Sequence, residues 1–368
     1  MADTGHMNFF KVNKCGLYKV NDHVSYDLAI EETFDLIRDW IKDRKMSETI
    51  PWLSTGKTKP KCYCREIHKD PVTGDFLVVL WKSETDSAGA VWGTEEDTAN
   101  GTGEIFEYTN EVNGKKIIWG RPCYYWVIPS LSSIVSIKFD HSLCDSQMFQ
   151  DYVAECIKNR VPHPNRIKEH TEHGFVRLSL GDEEDKQMYS FKFDVSLRSL
   201  NTTNAALNKI LHKITHLIWR ETIEVNVIDE RAEWIKKLNS SLPFVSAKPK
   251  SKKRNVEIRA EAKPTIQEIK DIIDKYAREN RKPSEWNNVG FLVDNTITWV
   301  DKYRLKDQLT LTDTKSRVLP AEFLLNELNK HRQSYLNPIK NSMKTDQETI
   351  NSDEFDSEKE YSLKDLKG

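Results

Sequence analysis

A basic segment interrupted by prolines divides this sequence of 368 residues into two parts, each with the apolar periodicity of a folded domain. The segment runs from Pro243 to Pro264, and its prolines disfavour a continuous helix. We therefore predict an α+β fold, in which a larger domain containing an antiparallel sheet is joined by a basic hinge to a smaller α/β domain. The predicted order is a tag remnant at 1–7, the α+β domain at 8–242, the basic linker at 243–264, the small domain at 265–340 and a disordered acidic tail at 341–368.

Local patterns predict several elements of the larger domain. Alternating apolar residues predict a first strand from Asn8 to Tyr18, and helical spacing predicts a helix from Leu28 to Lys45. Two strand-like runs, 62–67 and 76–82, flank the turn sequence Asp70-Pro-Val-Thr-Gly74 and predict a β-hairpin. Apolar residues on one helical stripe predict an amphipathic helix from Asn204 to Trp219.

The distribution of charge matters more than the total charge. The chain has a net charge of -2, which argues against a histone-like cation, and the tail from Asn341 holds more acids than bases. Basic residues are concentrated in the hinge and in a second run near His163, and clustered cations commonly face nucleic acid. The predicted nucleic-acid-binding residues are Lys248, Lys250, Lys252, Lys253, Arg254 and Arg259 in the hinge region, and Lys158, Arg160, Arg166 and Lys168 in the second run. A lysine-rich linker that is simply solvated is the alternative interpretation.

One short segment has the residue types of a catalytic site. His141-Ser-Leu-Cys-Asp145 follows an apolar strand and precedes a helix. It resembles the His-x-x-x-Asp element of the CoA-dependent acyltransferases, which implies His141 as general base and Asp145 as a structural partner; Ser146 stands where that family usually has Gly. The alternative is that Asp145 caps the following helix by accepting a backbone hydrogen bond.

The sequence predicts neither a metal nor a cofactor. Cys62 and Cys64 lie two apart on a predicted strand, but zinc needs about four ligands and no second pair has the required spacing. His163, His170 and His173 form a loop cluster, and His212 and His216 are one helical turn apart without the acid of the His-Glu-x-x-His pattern. Ordinary surface histidines explain both groups.

Six scattered cysteines and the lack of a signal-like start predict free thiols in a reducing cytoplasm. No run approaches the ~18 apolar residues of a membrane-spanning helix, so membrane insertion is not expected.

The arrangement of elements resembles the phage-exclusion proteins of the RexA type and related antiphage proteins. The similar features are the strand at Gly16-Leu-Tyr18, the long helix, the hairpin of Lys61 to Ile67 with Phe76 to Trp81, the strand and helix of Ile134 to Asn159, and the basic linker before a small αβ unit. The resemblance implies a cytoplasmic, DNA-binding homodimer that acts in phage exclusion, with a partner protein from the defence system. It supplies no position-specific motif.

We therefore predict a non-enzymatic protein that binds double-stranded DNA independently of sequence, as a sensor or regulator in bacterial antiphage defence. Its contacts would be made to phosphates, since no helix carries a base-reading set of side chains. Two alternatives stay open: a CoA-dependent acyltransferase that uses His141 and Asp145, and a protein-interaction module that uses the acidic tail.

Overall fold

The computed structural model of the chain describes residues 3–19, 21–52, 61–84, 91–94, 105–108, 111–112, 114–163, 165–172, 175–180, 187–198, 211–224, 253–279, 281, 284–312 and 318–343. The fold is α+β, as predicted. The chain divides into two compact units, the first containing residues 1–201 and 305–368 and the second containing residues 202–304.

The described elements are numbered in chain order. The strands are β1 Asp3–Tyr18, β2 Cys62–Lys69, β3 Phe76–Ser83, β4 Val91–Thr94, β5 Ile105–Tyr108, β6 Glu111–Val112, β7 Lys115–Lys116, β8 Gly120–Ile128, β9 Ser133–Lys138, β10 Arg166–His170, β11 Val176–Leu180, β12 Met188–Leu197, β13 Ile214–Glu224, β14 Lys253–Glu261, β15 Asn288–Val293, β16 Thr296–Trp299 and β17 Lys306–Leu311. The α-helices are α1 Ile30–Ile41, α2 Ser146–Glu155, α3 Ile266–Tyr276 and α4 Ala321–Lys330. A π-helical turn, Cys156–Arg160, continues α2, and residues 332–343 are helical after α4.

A large antiparallel sheet forms the centre of the first unit. Its strand order is β10-β11-β12-β1-β9-β8-β3-β2, and β17 also pairs with β1. The long strand β1 makes this possible, because its first half pairs with β17 and β9 and its second half pairs with β12. The predicted hairpin of 62–67 and 76–82 is confirmed as β2 and β3.

Helices cover both faces of this sheet. Adjacent strand residues point to opposite faces, so Phe76 and Leu77 enter different layers of the core. Phe76 packs against Phe34 of α1, which also stacks on Phe149 of α2. Leu77 instead packs in a cluster with α4 residues such as Leu324.

The predicted first strand is confirmed and begins earlier than expected. Asp3–Met7, assigned above to a tag remnant, lie in β1 and are paired with β17. Met7 is fully buried, and a Cβ atom at Gly5 would lie 2.8 Å from the side chains of Ile137 and Phe139. These residues are therefore an integral part of the sheet.

Two predicted secondary structures differ from those observed. The predicted helix of 204–219 is wrong from Ile214 onward, where β13 begins; residues 201–210 lie outside the described residues. The predicted linker of 243–264 contains β14, while residues 243–252 lie outside the described part. Both segments are strands because β13 and β14 pair with each other over nine residue pairs. Pairing between distant segments decides this strand form, and the local sequence pattern does not.

The division into units also differs from the predicted boundaries of 8–242 and 265–340. The smaller unit begins before β13 and ends at Arg304. Residues 305–343 belong to the first unit, because β17 pairs with β1 and α4 packs on β2 and β3. The predicted tail starts inside the helical segment 332–343, and 344–368 lie outside the described residues.

Candidate nucleic-acid interface

The described part of the second unit contains a four-stranded antiparallel sheet with helix α3 packed on it. The strand order is β14-β13-β15-β16. Helix α3 begins with a capping box, in which the Thr265 hydroxyl accepts from the Glu268 N–H and the Glu268 carboxylate accepts from the Thr265 N–H. Its buried residues Ile269 and Ile273 pack in one core cluster with Phe291 of β15.

The opposite face of this sheet carries an arginine between two tryptophans. Arg220 lies on β13, and its Cζ atom is 4.5 Å from the ring centroid of Trp286 and 4.6 Å from that of Trp299. Gly290 lies opposite Trp299 in the β15–β16 pair. A Cβ at Gly290 would lie 2.8 Å from Trp299 Cε3, so the glycine leaves room for the ring across the sheet. We call this surface the tryptophan face, defined by Arg220, Trp286, Trp299, Glu257 and Arg259.

The charges of the tryptophan face form a small network. Glu257 of β14 accepts hydrogen bonds from Arg220 Nε at 2.6 Å and from Arg259 Nε at 2.8 Å. These bonds hold the pKa of the Glu257 carboxyl below its ordinary value. The Arg259 side chain is still 54% exposed, which leaves it accessible to an anionic ligand.

Strand alternation separates the predicted basic residues of the hinge region. Lys253 and Arg259 lie on the tryptophan face, and Arg254 points to the opposite side of β14. All three are exposed. Lys248, Lys250 and Lys252 lie outside the described residues and precede β14 in the sequence.

The second predicted basic run lies in the first unit, and two of its arginines have structural roles. Arg166 is bound to Asp27 and Glu32, each at 2.6 Å, with its side chain only 7% exposed. Arg160 donates to the backbone carbonyls of Ile50 and Trp52. The geometry therefore gives these two guanidinium groups internal partners in place of phosphates.

The lysines of that run are half-buried. Lys158 lies in the π-helical turn, and Lys168 lies on β10. Burial lowers the pKa of Lys168, with a smaller contribution from the nearby Arg160 charge.

The His141 segment adopts the helix-capping arrangement. The Asp145 carboxylate accepts from the Met148 N–H at 2.9 Å at the start of α2, and it also binds Lys82 Nζ at 2.7 Å. His141 stacks on Phe139, and its Nδ1 lies 3.6 Å from an Asp3 carboxylate oxygen. The Asp145 carboxylate thus caps α2 and pairs with Lys82.

Metal binding gains no support from the described residues. Within them, no group of three or more His, Cys, Asp or Glu side chains is arranged to hold a metal ion. Cys62 and Cys64 are buried, and His163 lies 2.8 Å from the Ile157 carbonyl. His212 and His216 lose their helical relationship because β13 begins between them, while His170 is on β10 and His173 lies outside the described residues.

The first unit also contains an open groove of about 750 Å³. Its lining includes Asp27, Glu31 and Glu32. These carboxylates are bound by Arg166 and Lys69, so the groove presents little uncompensated charge to a ligand.

The sequence did not indicate Arg220, Trp286 or Trp299 as site residues. The available signal was the turn at Asp294-Asn295, which joins two short strands and places Gly290 opposite Trp299. A glycine facing an aromatic residue across a hairpin indicates a ring lying over the sheet. Arg220 directly follows the predicted helix of 204–219, and its place on a strand between β14 and β15 was not apparent from local spacing.

In the part of the chain that the structure describes, no helix is long and apolar enough to cross a membrane. Comparisons with family models, with curated proteins and with solved structures found no match to this chain.

Proposed function

We propose that this protein binds double-stranded DNA through its phosphates, with little sequence preference, and that the second unit makes the contacts. The observation that supports this most directly is the exposure of Lys253 and Arg259 on the tryptophan face of β14. The basic residues Lys248, Lys250 and Lys252 precede this strand in the sequence, so the same strand end receives the largest concentration of cations in the chain.

The composition of the second unit supports the same proposal. Residues 202–304 hold more basic than acidic residues, whereas the whole chain has a net charge of -2. Glu257 partly compensates Arg220 and Arg259, so we expect binding that is moderate in strength and strongly dependent on salt. The resemblance to phage-exclusion proteins supports a role for this binding in antiphage defence.

The test is fluorescence polarisation with a labelled duplex across a salt titration. Simultaneous replacement of Lys252, Lys253 and Arg254 by Ala should weaken binding to all sequences alike. Each lost phosphate contact should reduce the slope of log affinity against log salt by about 0.9. The matched control is Lys275→Ala, which removes an exposed cation from α3 and leaves β14 unchanged.

A loss in the control that equals that of the triple variant per charge removed would assign the effect to net charge, and no loss in either would remove β14 from the interface. The role in defence is tested separately, by comparing phage plating on bacteria that express the wild-type chain or the triple variant. Unchanged plating protection by a variant that no longer binds DNA would separate the two parts of the proposal.

A further inference from the structure

Strand β14 is the terminal strand of the second unit's sheet. Among the described residues, no strand pairs with its outer edge. A nine-residue strand with exposed N–H and C=O groups along one edge is a template for pairing with another strand. The edge is not shielded by proline, because Pro264 lies beyond the strand.

The hydrogen-bond pattern shows which residues of β14 present their backbone groups outward. The Ala262 N–H donates to the Thr215 carbonyl at 3.1 Å, which fixes the alternation of the antiparallel pair. Even-numbered residues of β14 therefore bond to β13, and odd-numbered residues direct their N–H and C=O groups to the outer edge. Glu257 and Arg259 are two of these outward residues, and Ile258 lies between them.

We propose that β14 pairs antiparallel with β14 of a second copy of this chain, about a two-fold axis at Ile258. In this register Glu257 lies opposite Arg259 of the second copy, and the symmetry repeats the same pair. Both residues direct their N–H and C=O groups to the outer edge of β14. This register therefore forms backbone hydrogen bonds between the two strands and places opposite charges next to each other. The Ile258 side chain is 57% exposed in the single chain and would contact its symmetry mate.

Three other symmetric registers fit less well. An axis at Glu257 places two carboxylates opposite each other, and like charges in directly opposed positions destabilise a strand pair. An axis at Val256 places Arg259 opposite Lys253 of the second copy. An axis at Ala260 pairs opposite charges but overlaps only residues 259–261 of the strand, since β14 ends at Glu261.

Pairing at Ile258 would extend the four-stranded sheet into an eight-stranded one and bring two tryptophan faces onto one continuous surface. A strand pair alone buries less than the ~1,600 Å² of a standard interface, so we expect a weak dimer that dissociates on dilution. The inference rests on the β14 edge and not on nucleic-acid binding, and its tests contain no DNA.

Sedimentation velocity of the full chain over a range of concentrations provides the first test. Glu257→Arg and Arg259→Glu should each be monomeric, with self-association at least tenfold weaker than in the wild type. An equimolar mixture of the two variants should form a heterodimer, because each arginine of one chain then faces a glutamate of the other. A wild-type chain that stays monomeric at all concentrations, or a mixture that stays monomeric while each variant is folded, would overturn the proposal.

Cysteine cross-linking tests the register and avoids the charge changes. Ile258→Cys should form a symmetric intermolecular disulfide under mild oxidation, because the two residues meet on the axis within disulfide range. Ala260→Cys is the matched control, on the same face and two residues along the strand, and it should not cross-link. Efficient cross-linking of Ala260→Cys with none for Ile258→Cys would contradict this register, and equal cross-linking of both would indicate random collision.

Discussion

Arg332 donates two hydrogen bonds to the carboxylate of Asp75, from Nε at 2.7 Å and from Nη2 at 2.9 Å. The Asp75 side chain is completely buried, and it also accepts from Trp126 Nε1. This buried pair joins the segment after α4 to the turn before β3, across 257 residues of sequence. It fixes the C-terminal helices on one face of the large sheet.

Replacing Arg332 by Met should destabilise the first unit by about 3–5 kcal/mol, because it leaves a buried carboxylate without its cation. Urea unfolding, monitored by hydrogen exchange in residues 321–343, measures the effect. The control is Arg38→Met, which breaks an ion pair with Asp35 whose arginine side chain is 36% exposed. We expect the control to cost less than about 1 kcal/mol, and similar costs for both variants would contradict a special role for the buried pair.

The capping role of Asp145 predicts how two substitutions will differ. Asp145→Ala should reduce the free energy of unfolding by about 1–2 kcal/mol, because the Met148 N–H loses its acceptor. Asp145→Asn should cost less, since the amide oxygen can still accept that bond. Denaturant unfolding distinguishes the two, and an Asn variant as unstable as the Ala variant would assign the loss to the Lys82 ion pair instead.

The tryptophan face predicts a tight requirement for glycine at position 290. In Gly290→Ala the new Cβ would lie 2.8 Å from Trp299 Cε3 and 2.9 Å from the Thr298 carbonyl oxygen. We expect a loss of about 1–3 kcal/mol from this overpacking, and faster hydrogen exchange in residues 288–299. The exposed substitution Ser284→Ala serves as a control and should change stability by less than about 0.5 kcal/mol. Unchanged exchange in Gly290→Ala would show that Trp299 does not need its observed position.

Cys15 predicts a loss of stability at alkaline pH. Burial raises the pKa of its thiol from 9.0 to about 11, and a hydrogen bond with Thr33 opposes this only in part. The folded state therefore retains this proton at pH values where the unfolded chain has lost it. The stabilisation is complete below about pH 9 and is lost as the pH rises through about 11. Unfolding of the wild type and of Cys15→Ala between pH 8 and pH 11 measures it, and parallel pH profiles would refute a contribution from Cys15.

Local chemistry allowed some elements to be predicted from sequence. The hairpin of β2 and β3 has its proline and glycine at the turn, with the Asp70 carboxylate accepting from the Val72 N–H, so its signal lies within a few residues. Helix α1 is similar, since Phe34 and Ile37 already have helical spacing and are both buried.

Elements that depend on distant partners could not be predicted. Strand β13 is central in its sheet and has buried residues on both faces, such as Ile214 and Ile218. Its sequence therefore resembles the apolar stripe of an amphipathic helix. The exposed β14 has the composition of a solvated linker, and its strand form depends on pairing with β13. The candidate site follows the same rule: Arg259 was predicted from charge, but Arg220 required knowledge of which strands are neighbours.

The first strand sets an order on the assembly of the molecule. β1 needs β17 as a partner, and the 103-residue segment 202–304 that forms the second unit is synthesised between them. The ribosome therefore synthesises the whole second unit before it synthesises the strand and helices that complete the first unit. During this interval the N-terminal sheet has one edge of β1 and one face exposed. Chaperone binding to nascent chains should therefore end only when residues 305–343 emerge.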